Sequence, residues 1–409
     1  MKNFLHIRTV PHRHGESTTW LELFFDLVYV AILVELGDRF SHNLSLEGVI
    51  AFALLFIPIW WSWIGLMLYT RRFPADDIGQ RLLTVIYMGV MVLMAFNIHD
   101  VTGATATNFL LAYALSNVVL VLMYSKAWTQ FSAYRTFATS HISVYSLAAV
   151  VWFLIAIFDP LNYSLWLLAT AISVLAPFYL PWLRRLAGKP NAQRPPMKAH
   201  YMVDRFGELT IIVLGEFFIK IVTSASDREV TGLTLIYFVS LLGVSASLWW
   251  LYFDHLEHSA LTSLPERIKG WVYTHYPLWL AITAYGVVGK KILALTPGEA
   301  LSDEKRWVLC GMLALALVST ALIELIARET GGAMSRPPQA LVRLSGAAVL
   351  VVLGAFGGGL SPVALIPLVA VTMMTMVGFD VRGRMSNPLA IDAVQAPDAE
   401  PELIDGVAP

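Results

Sequence analysis

A single cysteine, Cys310, stands in a chain of 409 residues, so no intramolecular disulfide can staple the fold. Charge is scarce as well. Only 14% of the residues are Asp, Glu, Lys or Arg, against about 25% in an ordinary soluble domain. The formal net charge of −1 leaves no basic excess of the kind a nucleic-acid-binding face needs. The chain has no GxSxG elbow, no phosphate-binding P-loop, no GxGxxG after a strand and no CxxC. It therefore offers no nucleophile, nucleotide or redox signature, and no cofactor is expected. The opening "MKNFLHIRTVPHRHGESTT" has no continuous apolar stretch and no small-residue cleavage site. Residues 1–19 read as a polar N-terminal segment rather than a signal peptide.

Apolar surface is what the chain has in excess, at 57% hydrophobic residues. A soluble globule of this size cannot hide that much, so the expected partner is a lipid bilayer. A membrane helix needs about 20 mostly apolar residues. Twelve stretches qualify, near 20–38, 47–70, 80–99, 107–127, 140–158, 164–182, 205–223, 232–253, 273–294, 306–327, 340–357 and 362–380. The last two are separated only by "GGGLSP" and read either as a tight hairpin or as one long helix pair in which not both are full spans. The expected fold is all-α: a polytopic transmembrane bundle of about 12 helices.

Basic residues concentrate in alternate loops. Arg71, Arg72, Arg184, Arg185, Lys189, Arg194 and Lys198 fall on one side, whereas "HDVTGATATN" and "FDPLNYS" carry no Lys or Arg. The positive-inside rule then puts both termini in the cytoplasm, and Lys220, Lys290 and Lys291 at the outer boundary. The basic, proline-rich stretch 184–203 divides a first half, 20–183, from a second, 204–380. The tail 381–409 is acidic, has no helical face and is expected to be disordered. "LELFFDLVYVAILVEL" and "VDRFGELTIIVLGEFF" align so that Glu22, Phe24 and Asp26 fall opposite Asp204, Phe206 and Glu208. Each is followed by an apolar helix, a polar loop, a Gly and a tryptophan-bearing helix. Six helices is an even number, so the two repeats are expected to be parallel, as in some transporters.

Carboxylates inside such helices cost about 2.5–3.5 kcal/mol at mid-bilayer and usually face the bundle interior. Glu22 and Asp26 lie one turn apart on one face. His200, Asp204 and Glu208 share a face at the start of another helix, with Arg205 among them, and Glu216 lies about 12 Å beyond Glu208. Two readings stand for these residues. They are ion or substrate ligands, or they are interfacial groups favoured by the helix macrodipole and the positive-inside anchor. Glu35 points away from Asp26. His275, just before Pro277, is a pathway candidate or a hydrogen-bonded structural histidine. His255 and His258 have the i, i+3 spacing of a metal pair, but an interfacial polar cap outweighs that reading. Lys290, Lys291 and Glu324 are candidates to pair or snorkel.

"WLELFFDLVYV" together with "HYMVDRFGELTIIVLGE" resembles the bacterial low temperature requirement A (LtrA) family. The family pattern is similar to Glu-Leu-Phe-Phe-Asp-Leu-Val in the first helix. It continues with His-x-x-x-Glu-Arg-Phe-Gly leading to Ile-Ile-x-Leu-Gly-Glu in the seventh. Glu22, Asp26, His200, Arg205, Phe206, Gly207, Gly215 and Glu216 match it. Asp204 replaces the family Glu, and Glu208 stands where an apolar residue is expected. The resemblance covers roughly residues 18 to 380 and implies a bacterial cytoplasmic (inner) membrane protein, without implying a reaction. Three functions remain in view. The first is an ion- or proton-coupled transporter or channel, taking a small ion or small molecule at the intramembrane carboxylates. The second is a membrane enzyme acting on a lipid-like substrate. The third is a structural or sensory membrane protein. The repeat favours the first.

Overall fold

The computed structural model describes residues 18–74, 77–186, 188, 193–195, 199–225, 230–256, 264–327 and 337–385. The expected disordered tail from 386 onward, and His258, lie outside the described residues. Thirteen α-helices account for the described chain. They are α1 (Trp20–Ser41), α2 (Leu46–Arg72), α3 (Ile78–Phe96), α4 (Ala106–Gln130), α5 (Arg135–Phe158), α6 (Tyr163–Val174), α7 (Ala176–Leu186), α8 (Ala199–Ala225), α9 (Gly232–Leu256), α10 (Pro265–Leu293), α11 (Asp303–Ala327), α12 (Pro337–Phe356) and α13 (Pro362–Met385). Eleven of the twelve expected helices are single. The sixth, 164–182, is two helices, α6 and α7, bent by 64° where they meet. Pro177 has no N–H to continue the ladder. The carbonyls freed at the break are capped by tyrosines: Tyr179 Oη donates to Ile172 O at 2.7 Å, and Tyr273 Oη donates to Val174 O.

Local signals set the helix starts. Thr19 and Glu22 form a reciprocal capping box at α1. Ser45 caps α2, Asp77 caps α3 and Asn162 caps α6, each accepting from a first-turn N–H. α7 runs to Leu186 and α8 starts at Ala199, so both helices extend into the stretch read as a linker. A single 3-10 turn, Gly357–Gly359, links α12 to α13.

Among the described residues, eight helices are long and apolar enough to cross a membrane, and α6 with α7 together make a ninth. The remaining three, α1, α8 and α10, pack on one another. α10 is buried along most of its length, whereas α1 and α8 each keep an exposed apolar face, Phe24 and Leu27 on one and Ile211, Ile219 and Val222 on the other. On α5, for example, Leu147, Val150, Phe153, Leu154 and Ile157 are all exposed, which suits a hydrocarbon environment.

The packing pattern recurs along the chain. α1 rests on α2 and α3, as α8 rests on α9 and α10. α4 sits between α3 and α5 and touches α2, as α11 sits between α10 and α12 and touches α9. α6 contacts α5 and α2, as α13 contacts α12 and α9. One continuous core links both sets.

Candidate functional site

The first turns of α1 bring their carboxylates to α2 and α8. Asp26 is fully buried, and Arg205 of α8 grips it in a two-pronged pair: Nη1 to Oδ2 at 2.5 Å and Nη2 to Oδ1 at 2.7 Å. Trp63 Nε1 of α2 donates to the same Oδ1 at 2.8 Å. The planar guanidinium matches a carboxylate in this geometry, and the indole fills a further lone pair. Glu208, one turn along α8, lies 3.0 Å from Arg205 Nη1. The position expected to be apolar is therefore part of the charge cluster.

Glu22 takes a different cation. Arg71, in the last turn of α2, places Nη2 2.7 Å from Glu22 Oε2, close in distance although its N–H is not aligned on the oxygen. The Arg71 guanidinium stacks on the Tyr201 ring, and Tyr201 Oη reaches Glu22 Oε2 at 3.4 Å. Arg205 meets Glu22 only through the backbone carbonyl, at 3.5 Å. Sequence reading did not anticipate Arg71 here. Its position in the basic end of α2 suggested a loop anchor, and only the fold brings it to α1.

Behind this cluster lies a dry aromatic layer. Trp63 meets Phe206 and Trp279 edge-on, at 5.3 and 5.1 Å between centroids. His275 packs on Phe206 at 4.5 Å and is fully buried. Its Nδ1 lies 2.7 Å from Trp271 O and its Nε2 lies 2.9 Å from Tyr252 Oη. The carbonyl requires a proton on Nδ1, so the neutral ring accepts from Tyr252. Both ring nitrogens are engaged by the protein. Asp204 is half-buried on α8; His200 begins the same helix, with its side chain outside what is described. The side chain of His255, in the last turn of α9, is likewise outside it. Among the described residues, no three His, Cys, Asp or Glu side chains converge as a metal set.

Glu216 lies farther along α8, about 16 Å beyond Arg205 at the helical rise. It is 2% exposed and pairs with Lys220, Oε1 to Nζ at 2.6 Å. Sequence reading put Lys220 at the outer boundary; it is buried, 7% exposed. The i, i+4 spacing from Glu216 is the sequence signal that could have found this pair. The contact is not aligned as a hydrogen bond, so neither Glu216 Oε1 nor Lys220 Nζ has that capacity filled. Glycines make room for it. A Cβ at Gly37 of α1 would sit 2.5 Å from Lys220 Nζ, and one at Gly286 of α10 would meet the Lys220 stem at 3.6 Å. Asp26 and Glu216 thus occupy separate levels of the bundle, each against its own cation.

A second buried cluster went unread. Arg343 of α12 bridges Glu324 of α11 and Asp380 of α13, the latter at 3.0 Å, and donates to Leu251 O of α9 at 3.1 Å. All three ionic side chains are nearly inaccessible. Arg343 lies inside a helix, not in a basic loop. It is also the partner of Glu324, which the sequence had offered to Lys290 or Lys291.

An uncharacterised protein of Rhizobium meliloti (strain 1021) is 26% identical over 291 residues, covering 68% of this chain and 70% of that protein. The family model described as bacterial low temperature requirement A protein (LtrA) matches residues 17–378. That match covers α1 to α12 and most of α13, and the chain belongs to this bacterial family.

Proposed function

We propose that the protein is a proton- or ion-coupled membrane transporter, with the Glu216–Lys220 pair as its exchange site. The observation that carries this reading is that pair, a carboxylate and an ammonium buried at the meeting of α1, α8 and α10 without an aligned hydrogen bond. Ionisable groups kept inside a membrane bundle at such cost mark pathways more often than scaffolding. Protonation of Glu216, or arrival of a cation, releases Lys220 from its partner. Asp26–Arg205, in contrast, is a clamp with its acceptors filled. Two parallel halves, 20–183 and 204–380, are supported by the recurring pairings of α1 to α6 with α8 to α13, and duplicated bundles of this kind suit alternating access. Both termini are placed in the cytoplasm, with the bilayer being the bacterial inner membrane.

Proteoliposomes carrying an internal pH indicator test this, with a potassium gradient and valinomycin driving proton entry. Wild type is expected to acidify the lumen faster than empty vesicles. Glu216→Gln, which leaves Lys220 without its counter-charge, is expected to lower the melting temperature and to abolish the excess in the protein that reconstitutes, while Glu216→Asp retains part of it. Wild-type flux in Glu216→Gln refutes the assignment.

A further inference from the structure

A cavity of about 510 Å³ lies away from the ion pairs, at the end of the bundle where α2, α4 and α7 finish and α5 and α10 begin. The break between α6 and α7 forms one wall, through Ser173, Ala176 and Pro177. Four cations line it, Arg72, Arg184, Arg194 and Lys269, and no carboxylate among the described residues does. Lys269 reaches Glu266 at 3.0 Å, outside the cavity. Arg72 and Arg184 have no carboxylate partner among the described residues. Both guanidinium groups lie over the ring of Phe137, at 4.9 and 5.4 Å from its centroid, which brings like charges together. Arg184 is 8% exposed, and its Nε donates to Ser140 Oγ at 3.0 Å. Deeper in, the wall is apolar and aromatic: Trp61, Leu68, Tyr145, Val272 and Tyr273.

Clustered cations in a partly dry pocket repel one another and lack the anion that normally offsets them. Paired guanidiniums suit the oxygens of phosphate or carboxylate, and the volume is in the range of small-molecule sites. We propose that this cavity binds an anionic amphiphile, its phosphate or carboxylate head held by Arg72, Arg184 and Arg194 and its apolar chain lying along the aromatic wall. The proposal goes beyond the transport reading and does not depend on Glu216 or Lys220.

The test uses the full chain, purified and delipidated in detergent, with native mass spectrometry and thermal unfolding as readouts. Three probes are compared: dioleoylphosphatidylglycerol, dioleoylphosphatidylcholine and inorganic phosphate. One phosphatidylglycerol is expected to bind at least tenfold more tightly than phosphatidylcholine and to raise the melting temperature. Arg184→Gln with Arg194→Gln is expected to remove that preference, whereas Arg135→Gln, outside the cavity, leaves it intact. Displacement of phosphatidylglycerol by millimolar phosphate identifies a site that also takes the free anion; resistance to it identifies the membrane lipid as the source. Should Arg184→Gln fail to fold, Arg194→Gln with Lys269→Gln, together with the wild-type lipid comparison, decides the matter. Equal binding of the two lipids, a preference unchanged in the arginine variants, or phosphate binding with no preference for phosphatidylglycerol overturns the proposal.

Discussion

Asp26 shows how one residue dictates its neighbours. A carboxylate with no accessible surface is tolerated because Arg205 and Trp63 occupy its lone pairs. Arg205→Ala leaves that charge uncompensated and is expected to cost about 3–5 kcal/mol. Asp26→Asn with Arg205→Gln, which removes both charges, is expected to recover part of the loss. Thermal unfolding of the detergent-solubilised variants measures both, and a double variant no better than Arg205→Ala removes the pairing argument. Gly37 carries a second consequence at this scale. Its hydrogen is the space in which Lys220 Nζ lies, so Gly37→Ala is expected to destabilise by about 1–3 kcal/mol through overpacking. In a Glu216→Gln, Lys220→Ala background the same substitution is expected to cost much less. Equal costs in both backgrounds place the constraint elsewhere, for instance at Val287 Cγ2, 3.1 Å from the added carbon.

At the scale of elements, the start of α3 and the last turn of α4 are tied by Asp77. It accepts from Gln80 N–H at 2.8 Å and from Lys126 Nζ at 2.7 Å on each oxygen. Partial burial pushes its carboxyl up, but the Lys126 and Gln80 hydrogen bonds and the Lys126 charge together hold it below the ordinary value of 3.8. A carboxyl depressed by folding adds stability that is complete above its unfolded pKa and disappears as pH falls through its folded one. The wild-type advantage over Asp77→Ala is therefore expected to be about 0.5–2 kcal/mol near neutrality. It should be constant down to pH near 4 and erode below that. Melting curves of the two proteins across pH 7 to 3 give the difference directly, and a gap that widens on acidification contradicts the sign.

For the whole molecule, the proposed count of twelve passes, with α6 and α7 as one broken pass, requires both ends on the same side. Reporter fusions after residues 190 and 103 are expected to show cytoplasm and exterior respectively. The reverse pattern inverts the bundle and puts the cation-lined cavity on the outer face. Mutual packing of α1, α8 and α10 also gives their ionic side chains buried partners: Asp26 meets Arg205 between α1 and α8, and Glu216 meets Lys220 on α8 against α1 and α10.

Composition and periodicity alone determined the helical membrane class, eleven of the helices as single rods, and the identity of Glu22, Asp26, Arg205 and Glu216 as the residues needing partners. These signals are local, because a run of 20 apolar residues or a carboxylate within one depends on no distant neighbour. Glu216 and Lys220 are one turn apart, so their pairing was within reach of the same local reasoning, but Lys220 was read instead as an outer-boundary residue. What the tertiary structure decided was partnership across helices. Arg71 reaches Glu22 from α2, Arg205 reaches Asp26 rather than Glu22, and Arg343 gathers Glu324 and Asp380 from two other helices. Helix spacing fixes which face a residue occupies but not which helix lies against that face. An arginine near a helix end therefore reads the same in sequence whether it anchors a loop or closes a buried pair. The break at Leu175 and the cavity beside it belong to the same category, since a proline marks where a helix can bend, while packing against α2, α5 and α10 sets the bend and what it encloses.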